Sequence, residues 1–144
     1  MGEITKESIV FAIAGTHGKT TTASFLTHLF AHLNLEFTAF LGGIMNQYQS
    51  NIIQKGCRYS IVEADEYDRS FLNLNPNYAV ITSIESDHLD IYGDFKSLAK
   101  SFQSFKNNVK DVLIADADTD IDKDFSFSIK SDSDYYVCLL YTSP

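Results

Sequence analysis

The sequence feature that most constrains the fold of this chain is a short glycine-containing segment between an apolar run and a helical pattern. Residues 15–20, with the sequence GTHGKT, directly follow residues 9–14, IVFAIA. Two glycines at this spacing permit a tight turn, and a turn that leads into a helix N-terminus directs several backbone N–H groups to one place. The sequence therefore predicts a phosphate-binding loop between a strand and a helix.

Two side chains of this loop carry the expected chemistry. Lys19 would reach the β- and γ-phosphate oxygens of a nucleotide, and Thr20 stands where such loops place a Mg²⁺ ligand. The full pattern G-x-x-x-x-G-K-[ST] requires glycine at position 13, where this chain has Ile13, so the match is to a shortened form. The alternative is a glycine-rich turn without a ligand, but the flanking strand and helix patterns favour phosphate binding. The expected nucleotide-binding residues are Gly15, Thr16, His17, Gly18, Lys19, Thr20 and Thr21.

Composition limits the class of protein. The chain has 144 residues, 44% of them hydrophobic, which predicts one compact domain. Its net charge of −8 argues against a nucleic-acid partner, because such proteins carry a basic patch. No apolar run is long enough for a membrane span and no signal peptide is recognisable, so we expect a cytoplasmic protein without a membrane partner. Cys57 and Cys138 have no metal-ligand spacing and are expected to be buried thiols.

Apolar runs alternate with helical patterns along the chain. The candidate strands are residues 9–14, 37–41, 59–64, 78–84 and 112–115. Their alternation with helices predicts an α/β fold with a mainly parallel sheet, flanking helices and ligands beyond the carboxyl ends of the strands. Residues 42–56 are polar and contain glycines, which predicts either a mobile loop or a hairpin.

Two segments have helical periodicity. Residues 20–34 are expected to end near Asn34 and to present one apolar stripe. The stripe consists of Phe25, Leu26, Leu29, Phe30 and Leu33. Residues 94–109 are expected to begin at an Asp94 N-cap and to bury one face. That face consists of Phe95, Leu98, Phe102 and Phe105.

Acidic residues follow the strand predicted at 59–64. The segment 63–69, EADEYDR, would place carboxylates at the sheet edge that carries the loop, where Glu63 or Asp65 would suit Mg²⁺. A solvated acidic loop is the alternative, and its location favours the metal. His88 follows the strand predicted at 78–84 and could ligate a second metal through a neutral ring nitrogen, although a lone histidine is more often structural.

Three segments together resemble the central ATP-binding domain of the Mur ligases, which extend the peptide of cell-wall precursors. They are residues 15–22, 63–72 and 82–93, and the resemblance covers about residues 8–105. It implies that Lys19 binds phosphate, that Thr20 and Glu63 hold one Mg²⁺, and that His88 contributes to a second metal site. Lys19 and His88 are thus the expected catalytic residues, and ATP and Mg²⁺ the expected cofactors.

Within the family, the three segments are most similar to those of the ligases that join L-alanine to UDP-N-acetylmuramate. The implied reaction phosphorylates the lactyl carboxylate of that substrate with ATP, after which the amine of L-alanine displaces phosphate. The alternatives are a recycling ligase that adds an intact peptide to the same substrate, and a nucleotide-binding module without chemistry.

The resemblance also implies a fragment, because family members carry a UDP-sugar-binding domain before this region and an amino-acid-binding domain after it. We expect residues 1–134 to be a partial central domain that is inactive alone. Residues 135–144 do not resemble the family continuation, and we expect them to be a non-native or read-through tail.

Overall fold

The computed structural model describes residues 7–66, 69–85, 95–130 and 132–136. These residues form one sheet of eight strands in the order β3-β2-β4-β1-β5-β6-β7-β8. Every pairing is parallel except that of β2 with β3. The strands are β1 (Ile9–Ala14), β2 (Phe37–Met45), β3 (Ser50–Gln54), β4 (Tyr59–Glu63), β5 (Tyr78–Ile81), β6 (Val112–Asp116), β7 (Phe125–Ser128) and β8 (Tyr135–Tyr136). The α/β class predicted from the sequence is confirmed.

Within the described residues, the sheet is flanked by two α-helices, α1 (Lys19–His32) and α2 (Phe95–Asn108), and by a 3₁₀ turn (Ser70–Asn73). Side chains of β1 alternate between two cores, as the period of a strand requires. Val10, Ala12 and Ala14 belong to the core beneath α2, and Ile13 to the core that includes α1. Neither α-helix in the described part of the chain has the length and hydropathy of a bilayer-spanning helix.

The hairpin predicted as one alternative for residues 42–56 is present. β2 continues to Met45, four residues beyond the predicted end, and pairs with β3 in antiparallel fashion. The turn from β3 into β4 contains Gly56 with a φ of 130°. Cys57, in the same turn, is exposed, so the prediction of a buried thiol at this position is wrong. Its place beside a sharp turn at the end of the hairpin keeps it out of both cores.

Helix α1 ends as predicted but packs differently. Asn34 adopts a left-handed conformation, with a φ of 53°, and the N–H of Leu35 closes the helix on the Phe30 carbonyl at 3.0 Å. The buried residues are Ala23, Thr27 and Phe30. The predicted stripe is therefore partly wrong: Phe25, Leu29 and Leu33 are exposed. Small residues at positions 23 and 27 let the helix lie close to the sheet, and the Thr27 hydroxyl is satisfied by the Ala23 carbonyl at 2.7 Å.

Helix α2 buries the predicted face against the other side of the sheet. Leu98, Phe102 and Phe105 are fully buried, and Phe71 of the 3₁₀ turn packs on the last two with ring centroids 5.4 and 5.1 Å apart. The Phe95 side chain and the predicted Asp94 cap lie outside the described residues.

Strands β7 and β8 were not predicted. β7 is only four residues long and follows an aspartate-rich segment, so its apolar signal is weak. β8 consists of Tyr135 and Tyr136 and pairs with β7 in parallel. The domain boundary at residue 134 stays a prediction, and residues 137–144 lie outside the described part of the chain.

Candidate phosphate and metal site

The loop of residues 15–18 lies at the carboxyl end of β1, the strand between β4 and β5. From β1 the chain passes through α1 to β2 on one side, whereas from β5 it passes through α2 to β6 on the other side and on the opposite face. The connections therefore diverge at the β1–β5 boundary. Open α/β sheets bind ligands at such a switch point.

The segment after β5 holds the loop in place. The backbone N–H of Thr16 donates to the Ser83 carbonyl at 3.0 Å, and the N–H of His17 donates to Ser83 Oγ at 3.1 Å. The Thr16 and Ser83 hydroxyls are 2.9 Å apart. Because Ser83 accepts from both N–H groups, Thr16 and His17 anchor the loop in this structure. Nothing in the sequence pattern marked Ser83 as their partner.

The start of α1 leaves donors for an anion. The first helical hydrogen bond runs from the N–H of Thr22 to the Gly18 carbonyl, at 3.0 Å. The four preceding N–H groups have no acceptor within the helix, and Gly18, the N-cap residue, supplies no side-chain cap. The four N–H groups are those of Gly18, Lys19, Thr20 and Thr21. Four N–H groups at the positive end of a helix dipole form a suitable phosphate site.

Both glycines of the loop are required by its conformation. Gly15 has a φ of 128°, and a Cβ there would lie 2.2 Å from Thr82 Oγ1 and 2.9 Å from the backbone nitrogens of Thr82 and Ser83. Gly18 has a φ of 79°. Side-chain-bearing residues rarely adopt such values. Both positions therefore require glycine, as the motif predicts.

Lys19 is engaged by a carboxylate that the sequence did not assign to it. Its Nζ donates to the Gly15 carbonyl at 2.7 Å and to the two carboxylate oxygens of Glu66 at 3.0 and 2.9 Å. The Lys19 side chain is 13% exposed and that of Glu66 is 0% exposed. Glu66 stands in the acidic segment after β4, but its sequence position alone does not distinguish it from its neighbours.

Thr20 and Glu63, the two predicted ligands of the first metal, lie side by side. The Thr20 hydroxyl donates to Glu63 Oε1 at 2.7 Å, and the backbone N–H of Gly42 donates to Glu63 Oε2 at 2.6 Å. Octahedral Mg²⁺ has bonds to oxygen of about 2.0–2.1 Å, which places adjacent ligand oxygens about 2.9 Å apart. The hard oxygen donors and their spacing therefore fit Mg²⁺. The Gly42-Gly43 pair directly after the predicted strand 37–41 was the sequence feature that could have indicated the backbone hydrogen bond to Glu63.

Of the other predicted candidates, the structure describes Asp65 and His17. Asp65 is exposed, and His88 lies outside the described residues. His17 Nε2 lies 3.6 Å from a carboxylate oxygen of Glu85, with both side chains more than half exposed. The described residues contain no group of three or more His, Cys, Asp or Glu side chains that could hold a metal. Mg²⁺ does not require such a group, since it keeps water and phosphate oxygens as ligands.

A cleft of about 500 Å³ opens beside the loop. Its lining combines polar groups of the loop region with apolar side chains from the sheet. The residues are His17, Gly18, Thr22, Val80, Thr82, Ser83, Glu85 and Phe127. Clefts of this size, mainly apolar with a few polar groups, are typical of small-molecule sites.

The Mur ligase middle domain model matches residues 13–137. The chain belongs to this family. The match includes the loop, β4 with Glu63, and the whole sheet from the end of β1 onward. The family inferred from three sequence segments is thereby confirmed.

Sequence comparison with individual proteins supports the same family assignment. The UDP-N-acetylmuramate–L-alanine ligase of Flavobacterium psychrophilum is 51% identical over 111 residues, which is 77% of this chain and 25% of that protein. The corresponding enzyme of Christiangramia forsetii is 52% identical with the same coverage. This Mur ligase domain thus spans about a quarter of the length of the curated relatives it matches.

Among solved structures, the UDP-N-acetylmuramate–alanine ligase of Thermotoga maritima superposes with a TM-score of 0.82 at 31% identity. The superposition covers 95% of this chain and 32% of that one. The Mur ligase sheet described above is therefore shared with a solved ligase over nearly the whole chain.

Proposed function

We propose that this chain is the nucleotide-binding domain of an ATP-dependent ligase that joins L-alanine to UDP-N-acetylmuramate. The observation that carries the proposal is the joint placement of the α1 N-terminus, the Lys19 ammonium and the Thr20–Glu63 pair at one sheet edge. The names of relatives about half identical in sequence support the specific reaction. A cytoplasmic location belongs to the same proposal.

Each group has a distinct part in binding. The N–H groups of residues 18–21 donate hydrogen bonds to the phosphate oxygens, and Lys19 neutralises charge on the β- and γ-phosphates. Thr20 and Glu63 would hold Mg²⁺, which when bound neutralises further phosphate charge. His88 is proposed as a second metal ligand and catalytic residue from the family resemblance alone.

The reaction requires positioning more than covalent chemistry by the protein. The lactyl carboxylate attacks the γ-phosphorus of ATP, the bond to the β-phosphate oxygen breaks, and an acyl phosphate and ADP form. The amine of L-alanine then attacks the acyl carbon and phosphate leaves, which gives an amide. Fixed N–H donors and an ammonium suit the first step because they stabilise charge without reorganisation. We propose that the sugar nucleotide and the amino acid bind mainly to other parts of the full-length ligase.

Titration calorimetry with ATP and Mg²⁺ tests the nucleotide site. A single Lys19→Ala variant would leave the Glu66 carboxylate buried without its partner, so the informative comparison is Glu66→Gln against the double variant Lys19→Ala/Glu66→Gln. We expect the double variant to bind ATP at least about tenfold more weakly, a loss of about 1.4 kcal/mol. Equal affinities would show that Lys19 does not contact the nucleotide.

A chimaera tests the reaction. Residues 13–137 would replace the matching segment of the Flavobacterium psychrophilum ligase, and ATP-dependent phosphate release would be measured with UDP-N-acetylmuramate. We expect release on addition of L-alanine. A Thr20→Val chimaera serves as the matched control, since it keeps the shape and loses the hydroxyl. A folded chimaera without release would contradict the proposal.

A further inference from the structure

The Lys19 ammonium is fully hydrogen-bonded within the chain. Its three bonds go to the Gly15 carbonyl and to both carboxylate oxygens of Glu66. A lysine ammonium has three N–H donors, so these bonds use all of them. A phosphate that binds Lys19 must therefore take the place of at least one of these acceptors.

The Gly15 carbonyl and the Glu66 carboxylate differ in how far each can move when a phosphate binds. The Gly15 carbonyl belongs to a backbone turn fixed against Thr82 and Ser83. The Glu66 carboxylate has no exposed surface and lies three residues after the end of β4, so it cannot turn into solvent without leaving its place in the fold. Lys19 has a flexible four-carbon stem. The ammonium is therefore the group that shifts when a phosphate arrives, and the carboxylate stays nearby.

The net charge of the Lys19–Glu66 pair affects how strongly the site attracts a polyphosphate. Lys19 and Glu66 together carry no net charge, so a bare polyphosphate meets little attraction from this lysine. The carboxylate also repels phosphate oxygens across a short distance, an effect that is large where water is excluded. A divalent cation between Thr20 and Glu63 would offset this repulsion.

We propose that Glu66 is a resident counter-ion of Lys19, that the phosphate of an incoming nucleotide replaces it as a hydrogen-bond partner of the ammonium, and that it makes phosphate binding depend on a divalent cation. The proposal rests on the proposed nucleotide-binding function and adds a residue that regulates phosphate binding at the same site. Glu66 acts through Lys19 and is a positioning residue.

Inorganic tripolyphosphate is the probe, because it lacks a base and a sugar. Its affinity for the wild-type chain, Glu66→Gln and Glu36→Gln would be measured by calorimetry with and without Mg²⁺, after circular dichroism has shown that each chain is folded. Glu66→Gln keeps the shape and one acceptor but removes the charge. Glu36→Gln is the matched control, since it changes net charge equally at an exposed position at the start of β2.

We expect Glu66→Gln to bind tripolyphosphate at least about tenfold more tightly than wild type without Mg²⁺, and within about threefold of it with Mg²⁺. Glu36→Gln should follow wild type in both conditions. An unchanged or weaker affinity of Glu66→Gln without Mg²⁺ would overturn the counter-ion role while leaving nucleotide binding intact. If no folded variant binds ATP or tripolyphosphate in any condition, the proposed function and the counter-ion role both fail.

A second measurement uses only the wild-type chain and covers the case in which Glu66→Gln does not fold. A crystal structure with Mg²⁺ and tripolyphosphate would give the distances from Lys19 Nζ to the two Glu66 oxygens. We expect at least one to exceed hydrogen-bond length, about 3.5 Å. Retention of both bonds with phosphate present would overturn the proposal.

Discussion

Lys19 Nζ lies 3.0 and 2.9 Å from the two carboxylate oxygens of Glu66, a side chain with no exposed surface. The lysine of the phosphate loop is thus one half of a buried ion pair. Such pairs contribute little net stability when intact but cost much when one partner is removed, because a charge is left buried alone.

The first prediction concerns folding stability. Lys19→Ala should lower the free energy of unfolding by about 3 kcal/mol or more, and Lys19→Ala/Glu66→Gln should recover part of that loss because the buried charge is gone. Urea unfolding followed by circular dichroism would measure both. Lys106→Ala is the matched control: Lys106 Nζ lies 2.9 Å from Asp122, but the Lys106 side chain is 29% exposed and that of Asp122 is 87% exposed, so little change is expected. Equal losses at positions 19 and 106 would contradict the account.

The second prediction concerns the support of the metal site. A Cβ at Gly42 would lie 2.7 Å from Glu63 Oε1. Because that atom ends a flexible side chain, Gly42→Ala should leave the fold intact but push the carboxylate away from Thr20. We expect the Mg²⁺-dependent part of ATP affinity to fall by about tenfold, or about 1.4 kcal/mol.

Gly43→Ala is the natural control for this experiment, since the nearest atom to its Cβ is Thr20 Cγ2 at 3.4 Å, close to ordinary contact. Calorimetry at several Mg²⁺ concentrations would separate the two variants. A similar response of both glycine positions would show that Gly42 does not hold Glu63 for the metal.

The third prediction concerns the loop itself. Gly15→Ala combines a φ of 128° with a Cβ 2.2 Å from Thr82 Oγ1 and 2.9 Å from two backbone nitrogens. Backbone atoms cannot yield cheaply, so we expect destabilisation of at least about 2 kcal/mol and loss of ATP binding. Thermal unfolding would measure the first effect. A variant as stable as wild type would mean that the loop does not have this conformation.

The fourth prediction tests the packing of the helices, which is corrected for α1 and as predicted for α2. Phe102 on α2 is fully buried, whereas Phe25 on α1 is 72% exposed. Phe102→Ala should cost about 3–5 kcal/mol of unfolding free energy, and Phe25→Ala about 0.5 kcal/mol or less. Urea unfolding of the two variants would distinguish this arrangement from the apolar stripe that the sequence predicts.

The fifth prediction concerns acid stability. Hydrogen bonds from the Ser126 hydroxyl and backbone N–H to Asp134 hold the pKa of that carboxyl below its ordinary value. A depressed pKa contributes stability above the unfolded-state pKa of about 3.9, which is lost as pH falls through the lower folded-state value. Asp134→Asn should therefore flatten the loss of stability below about pH 4. An unchanged pH profile of the urea midpoint would show that this contact between β7 and β8 is not formed in solution.

The sequence predicted the parts of the fold that depend on local patterns. The bounds of β1 agree with the predicted strand, because its apolar run ends directly at Gly15. The two helices agree within about two residues. The hairpin was left open between two alternatives, because the turn after Met45 contains no two-residue glycine signal of the kind that marks tight hairpins.

The contacts that define the site were harder to predict because they join residues distant in sequence. Thr16 meets Ser83 across 67 positions, and Lys19 meets Glu66 across 47. Such pairs depend on strand order and register, which local periodicity does not encode. The acidic segment 63–69 offered Glu63 or Asp65 as a metal ligand and the family resemblance selected Glu63, but only the three-dimensional arrangement identifies Glu66 as the partner of Lys19.

Titration of the wild-type chain with ATP and with AMP, both in the presence of Mg²⁺, would show whether the site recognises the β- and γ-phosphates of a nucleotide. In the proposed function, the loop, Lys19 and the Thr20–Glu63 pair bind the β- and γ-phosphates, which AMP lacks. We expect ATP to bind and AMP to bind at least about a hundredfold more weakly, a difference of about 2.7 kcal/mol. Equal affinity for the two nucleotides, or no ATP binding by a chain shown to be folded, would contradict the account.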